Sequence, residues 1–293
     1  VSNPYRFCEE PGVISFSGGR TSGYLLWHVL QAYGGKLPDW LRVIFCNTGR
    51  EMPETLDFVQ ECSDRWDVPI TWLEFRPGLP GYEVVAYGTA SRAGEPFEML
   101  LATPVRRKDR TLGVRPLPNP RSRICTVNLK TRLKKRFVNR EWKWLAYHMA
   151  IGFRADEANR VARGFKYPEP GETLHYPLHA AGVTKADVHA FWATQPFNLR
   201  LPVDKHGETV EGNCDLCFMK SAAKVSAIAA RHPERVRWWA EMEARQALTD
   251  RATTFRQDRP TYAAMAEAVE RGEPMDFGIF DDMTTCGSHG CTD

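Results

Sequence analysis

VISFSGGRTS, residues 13–22, is a β-rich run broken by a glycine pair and followed at once by the helical pattern GYLLWHVLQAY, residues 23–33. Gly18 and Gly19 let the backbone turn tightly and bring its N–H groups close to an anion. Ser17, Thr21 and Ser22 add hydroxyls, and the positive end of the following helix points at the same place. A GxxxxGK[ST] phosphate loop is absent, because no lysine stands at the required offset. Working outward, RVIFC (42–46) reads as a second strand and ITWLEF (70–75) as a third. Between them, PETLDFVQECSDRW (53–66) reads as a helix opened by Pro53 with Glu54 in its first turn. Strands alternating with helices imply βαβ units, a parallel sheet, and ligands at the C-terminal ends of the strands.

Residues 76–123 are rich in Pro, Gly and Arg and yield no firm element. Beyond them the pattern predicts a basic helix over Asn128–Arg140, a buried strand over Leu145–Gly152 and a polar helix over 155–163. Thr184 with Asp187 three residues on predicts a capped helix over Thr184–Gln195. Helices are also expected over Ser221–Arg231, Pro233–Ala247 and Pro260–Arg271, whereas DDMTTCGSHGCTD (281–293) has no periodicity. The expected division is a nucleotide-binding α/β part over 1–180 and a mainly helical part over 181–293 that ends in a flexible, cysteine-containing tail.

At 293 residues, 43% hydrophobic and 26% charged, the chain has an ordinary globular composition and needs no disulfides to fold. No apolar run approaches the roughly 18 residues of a membrane span, and VSNPYRFCEEPG at the start carries no leader-like apolar stretch. The expectation is a cytoplasmic protein with no membrane partner, its eight cysteines being reduced thiols or metal ligands. Charge is concentrated: residues 105–143 carry +12 and the remainder −9. Such a block is aimed at an anion, either nucleotide phosphate or a nucleic acid such as tRNA or DNA, or else it is a solvated helix face.

SFSGGRTSGYLL resembles the pyrophosphate-binding (PP) loop of the ATP pyrophosphatase and phosphoadenosine-phosphosulfate (PAPS) reductase superfamily, whose core is SGGxDS; Thr21 stands here for the acidic residue. FCNTGREMPETLDFV (45–59) and IGFRADEANR (151–160) are similar to the reductase branch, the second matching its GxRxxExxxR element, and PLHAAGVTKADVHAFW (177–192) is similar to a later helix of that family. The resemblance implies an adenine nucleotide α-hydrolase-like, doubly wound parallel sheet. It implies nucleotide contacts from Ser15, Ser17, Gly18, Gly19, Arg20, Thr21, Ser22, Asn47, Thr48, Gly49, Gly152 and Arg160, with magnesium as a further candidate ion. Arg154 and Arg160 could clamp phosphate or sulfate oxygens, with Glu157 holding one of them in place; a surface ion-pair cluster is the alternative.

Cys214 and Cys217 form a CxxC, and Cys125 stands alone in the basic block. A thiol-only set without a nearby His pair favours an iron–sulfur cluster or an all-cysteine zinc site. The resemblance points to a [4Fe-4S] cluster held by Cys125, Cys214 and Cys217, with a tail cysteine such as Cys291 or Cys286 as fourth ligand, or with that position open for sulfur. CGSH (286–289) also resembles the ECGLH-type terminus of PAPS reductases, whose Cys is the nucleophile, which makes Cys286 a candidate catalytic residue beside Arg154 and Glu157. Three functions fit: an ATP-dependent sulfurtransferase, a sulfonucleotide reductase forming sulfite, or a non-catalytic nucleotide- or nucleic-acid-binding protein. Either enzyme would need a sulfur donor or reductant protein.

Overall fold

Strands buried on both faces have no polar side to show, which is why the predicted strands read as nearly unbroken apolar runs. The computed structural model describes residues 3–106, 108–166, 169–204, 207, 209–247, 253–273 and 275. Its main sheet is built from β1 (Gly12–Phe16), β2 (Leu41–Asn47), β3 (Ile70–Phe75), β4 (Tyr82–Val85), β7 (Tyr147–Ile151) and β8 (Glu172–His175). Two short strands, β5 (Val105–Arg106) and β6 (Leu112–Gly113), pair only with each other. The sheet order is β4-β3-β2-β1-β7-β8, and every neighbour is parallel except β4 on β3.

Alternation along each strand sorts the core into two faces. Ile14, Phe16, Val43 and Phe45 pack against α1 (Arg20–Ala32), α2 (Pro53–Arg65) and the Lys185–Thr194 helix. Val13, Ile44, Cys46 and Leu73 pack against the helical stretch 124–142 and the helices Ala222–Arg231, Pro233–Ala247 and Tyr262–Arg271. The protein is thus a doubly wound α/β fold whose C-terminal helices close one face of the sheet.

The basic helix is longer than its sequence pattern suggests. It runs from 124 to 142 and widens to π-helical turns at Val127–Thr131 and Val138–Trp142. Leu129, Leu133, Phe137 and Val138 are buried against the sheet, so this helix is a wall of the core with one charged flank. The structure also supplies elements in the unassigned 76–123 stretch: β4, helix α3 (Glu95–Ala102) and the β5–β6 ribbon.

Thr184 caps the Lys185–Thr194 helix as its sequence predicts. Asp187 Oδ2 accepts from Thr184 N at 2.8 Å and from Thr184 Oγ1 at 2.7 Å, and Asp187 N reaches Thr184 Oγ1 at 3.5 Å. Thr184→Ala should cost about 1 kcal/mol. Thermal denaturation should register this as a Tm lower by about 2–4 °C; an unchanged Tm would mean that the cap contributes nothing to stability.

Candidate active site at the sheet crossover

From β1 the chain winds outward through β2 and β3, then returns to β7 on the other side of β1. The crevice beyond the C-terminal ends of β1 and β7 is therefore the topological switch point, where open α/β sheets bind ligands. The 17–22 loop leads from β1 into α1 at this end of the sheet. Gly18 has φ +81°, and a Cβ there would sit 2.6 Å from Thr55 Cγ2 on α2. Gly19 precedes α1 and offers no capping side chain. Ser17 Oγ donates to Ser22 Oγ at 3.0 Å, and Ser22 Oγ donates to the Gly19 carbonyl at 2.9 Å, which fixes the loop's shape.

A cavity of about 250 Å³ opens beside Ser17, the first residue of this loop. Ser15, Ser17 and Thr48 line it from the strand ends, Cys125, Lys130 and Lys134 from the long helix, and Cys214 and Cys217 from the CxxC. Arg123 and Arg160 border both this cavity and a neighbouring one of about 430 Å³. Lys134 Nζ donates to Ser15 Oγ at 2.6 Å. Burial pushes the Lys134 amine below the ordinary lysine range, against the pull of Cys46 and Glu172. A lowered amine sheds its proton below the ordinary lysine range, so the cleft loses positive charge as pH climbs toward that range. Inorganic pyrophosphate should bind progressively more weakly over that rise. Lys134→Met should bind it weakly at neutral pH with a flatter profile; an unchanged slope would place the titrating group elsewhere.

The CxxC is held by the aspartate between its cysteines. Asp215 is fully buried. Its Oδ1 accepts from Trp239 Nε1 at 2.8 Å and from Leu216 N at 2.7 Å, and its Oδ2 accepts from Arg235 Nη1 at 3.0 Å and from Arg50 Nη2. Arg50 in turn stacks over Trp238, 4.6 Å from the ring centroid. These bonds pin the cysteine turn between the β2–α2 loop and the Pro233–Ala247 helix. Thr48 Oγ1 lies 3.3 Å from Cys214 Sγ, and burial pushes the Cys214 thiol up to about 12. A thiol so raised becomes a thiolate ligand only when a cation compensates its charge.

The residues singled out from the sequence divide by what their side chains do. Ser15, Ser17, Thr48, Arg160, Cys125, Cys214 and Cys217 line the cleft together. Arg154 Nη1 donates to Thr21 Oγ1 at 3.0 Å, and its Nε donates to Asp156 at 2.9 Å. That arginine therefore ties the β7 exit to the first turn of α1. Glu157 pairs with Arg160 and, at 3.7 Å, with Arg154, and Gly152 lets the β7 exit lie against Thr21 and Ser22. Arg20 turns away from the loop, donating to Asn198 Oδ1 and Thr209 Oγ1 at 2.8 Å each. Asn47 is buried on Glu74 and the Ser91 carbonyl, while Gly49, at φ +78°, packs against Gly94. Cys286 and Cys291 lie outside the described residues.

One expectation needs correction. The basic block is not one outward face: Lys134 points into the cleft, Lys135 pairs with Glu169 at 3.6 Å, and Arg132, Arg136 and Arg140 are exposed. Cys46 also borders the cleft, its pKa raised to about 11 by burial. Lys130 and Lys134 had a legible signal. They follow the buried Leu129 and Leu133 by one position each, which puts them on the edge of the inward face.

Fold and cleft together define a doubly wound α/β protein with a cationic, thiol-lined site at its sheet crossover. No family model matches the chain. The uncharacterized nin region protein ORF290 of Escherichia phage lambda is 32% identical over 219 residues, spanning 73% of this chain and 67% of the phage protein. The chain belongs to the family of that phage protein. Among solved structures, the U34-tRNA thiolase NcsA from Methanococcus maripaludis with its [4Fe-4S] cluster aligns with 94% of this chain and 78% of its own, at 13% identity and a TM-score of 0.41. Among the described residues no helix is long and apolar enough to cross a membrane.

Proposed function

We propose that this chain is an ATP-using sulfurtransferase of the PAPS reductase and ATP pyrophosphatase superfamily, with an adenine nucleotide α-hydrolase-like sheet. The observation that carries the reading is that one cavity is lined both by Ser17 of the glycine loop and by Cys125, Cys214 and Cys217. The loop's N–H groups and the first turn of α1 would receive phosphate oxygens. Lys130, Lys134, Arg123 and Arg160 would balance the charge of a triphosphate and its magnesium, and Arg154 would hold Thr21 and the loop in register. A substrate oxygen attacking the α-phosphorus would displace pyrophosphate, leaving an adenylated substrate beside the thiols.

The donor set suits an iron–sulfur cluster. Thiolates on one tetrahedral zinc ion lie within about 3.8 Å of one another, given Zn–S bonds of about 2.3 Å. These three thiols are not gathered within 4.8 Å, which favours a larger, polynuclear group. When bound there, a [4Fe-4S] cluster supplies an iron that can hold sulfur next to the nucleotide. Asp215 and Thr48 position the Cys214 side of that site, and the long helix positions Cys125.

A nucleic-acid acceptor such as tRNA fits the outer flank of the long helix, where Arg132, Arg136 and Arg140 stand four residues apart on one face and are exposed. The test uses anaerobically purified full-length chain. It should carry about four irons, release pyrophosphate from ATP when a nucleic-acid substrate is present, and lose its iron in Cys214→Ser. Sulfite from a sulfonucleotide, abolished by Cys286→Ser, would replace this reading with the reductase. Neither product would leave a binding protein.

A further inference from the structure

Remote from the cleft, at the N-terminal end of β1, four side chains meet that the sulfur chemistry does not use. His148 of β7 lies beside His175 of β8, its Nδ1 2.6 Å from His175 Nε2. Its other nitrogen, Nε2, faces the segment preceding β1, 2.7 Å from Glu10 Oε2 and 3.2 Å from Cys8 Sγ. The two partners are themselves 3.9 Å apart. Among the described residues, Cys8, Glu10 and His148 are the set of metal-donor side chains whose ligand atoms all lie within 4.8 Å of one another.

We propose that Cys8, Glu10 and His148 form a site for a zinc-type divalent metal ion, with His175 orienting the histidine ligand. His175 Nε2 lies 2.6 Å from His148 Nδ1, within reach of a hydrogen bond donated by His148 Nδ1–H. With that proton given to His175, His148 Nε2 presents a lone pair toward a carboxylate oxygen and a thiol sulfur. The 2.7 Å between His148 Nε2 and Glu10 Oε2 is bridged by a proton, which a metal ion bound by the same two atoms would replace. A metal-bound histidine characteristically donates its other ring N–H to a fixed acceptor, and His175 is placed to be that acceptor.

The donor set selects the class of ion. One sulfur, one imidazole nitrogen and one carboxylate oxygen suit zinc or a similar borderline ion and disfavour magnesium or calcium. In a tetrahedral zinc site, ligand atoms about 2.0–2.3 Å from the metal stand roughly 3.3–3.8 Å apart. The observed separations of 2.7, 3.2 and 3.9 Å bracket that range, so side-chain rotations alone would seat the ion. Three protein ligands leave the fourth position to water, since Cys8 and Glu10 are exposed. Binding would staple the 3–11 segment to the β7–β8 edge. The segment is also tied by His148 N to the Pro11 carbonyl at 2.8 Å, Arg6 Nε to the Ala32 carbonyl at 2.9 Å, Phe7 N to Tyr33 Oη at 2.9 Å, and the Phe7 ring edge-on to His175.

The test is a cobalt(II) titration of the full chain, stripped of metal and kept anaerobic, followed by zinc displacement. Cobalt gives a thiolate charge-transfer band that reports each bound sulfur. The wild type and Cys214→Ser should both bind one equivalent with single-thiolate intensity that zinc displaces. Cys8→Ser should lose the band, His148→Ala should lose the equivalent, and His175→Ala should weaken affinity by about 10–100-fold while keeping the stoichiometry. His148→Gln, compared with wild type by metal-free circular dichroism and Tm, separates ligand loss from misfolding. Zinc should raise the Tm of wild type and not that of His148→Gln. Unchanged cobalt stoichiometry and affinity in Cys8→Ser and His148→Gln would overturn the site, as would a single-thiolate band lost only in Cys214→Ser.

Discussion

Asp215→Ala is expected to destabilise the folded chain by about 3–5 kcal/mol, the cost of removing one partner from a buried ion pair and leaving the other charged. The carboxylate accepts from Arg50, Arg235, Trp239 Nε1 and Leu216 N, and Arg50 is itself buried. Without Asp215 the Arg50 guanidinium would keep the Ala93 carbonyl, 3.3 Å away, and its stacking on Trp238. Neither supplies an opposing charge. Chemical denaturation should show a lower midpoint with a similar m-value, and the Tm should fall by roughly 10 °C. Asp215→Asn, which keeps hydrogen-bonding capacity without charge, should fall between the two. Wild-type stability in Asp215→Ala would mean that Arg50 finds another counter-charge, and that the CxxC is not anchored through this residue.

Gly18→Val should be nearly as damaging, for a different reason. The backbone at Gly18 has φ +81°, costing a non-glycine residue about 1–3 kcal/mol. Its new Cβ would meet Thr55 Cγ2 at 2.6 Å, Val59 Cγ2 at 3.2 Å and Phe45 Cε2 at 3.3 Å, adding about 1–3 kcal/mol of overpacking. Loop and α2 would be pushed apart, so stability and nucleotide affinity should fall together. Ser17→Ala separates the two effects: it removes the donor to Ser22 without touching that packing, and should weaken nucleotide binding while the Tm hardly moves. A Gly18→Val chain with normal stability and normal affinity for ATP would remove the loop from both roles.

The parts of this molecule that could be read ahead of its coordinates are those governed by local periodicity. The run Ile70–Phe75 and the helix Pro233–Ala247 fall on their expected bounds, because both are long enough to show their period and are bounded by turn residues. The edge strands β4 and β8 escaped notice. YEVV and ETLH are short and carry exposed positions, with Val84 54% exposed, so neither shows the unbroken apolar run of a central strand. At the site, the glycine loop and the CxxC announce themselves by spacing. The pairing of Lys135 with Glu169 does not, since it depends on how the long helix lies across the sheet. Asp215 was equally silent: an acidic residue between two cysteines gives no sign that Arg50 and Trp239 will converge on it.

The wide turn at Val127–Thr131 gives the long helix a rotational phase that side-chain chemistry alone does not carry. Each residue of an α-helix advances about 100° around its axis, and a π-helical turn accommodates one residue beyond the α-helical count. Leu129 and Leu133 are gripped by the sheet, so the C-terminal part of the helix cannot swivel. Taking one residue out of 127–131 would instead swing everything ahead of it by that angle. Cys125 would rotate off the cleft wall, while Lys134 kept its hold on Ser15. The thiol and the amine thus share one helix but are indexed separately. Removing a single residue other than Lys130 from that turn would part the thiol from the amine while leaving both side chains in the chain.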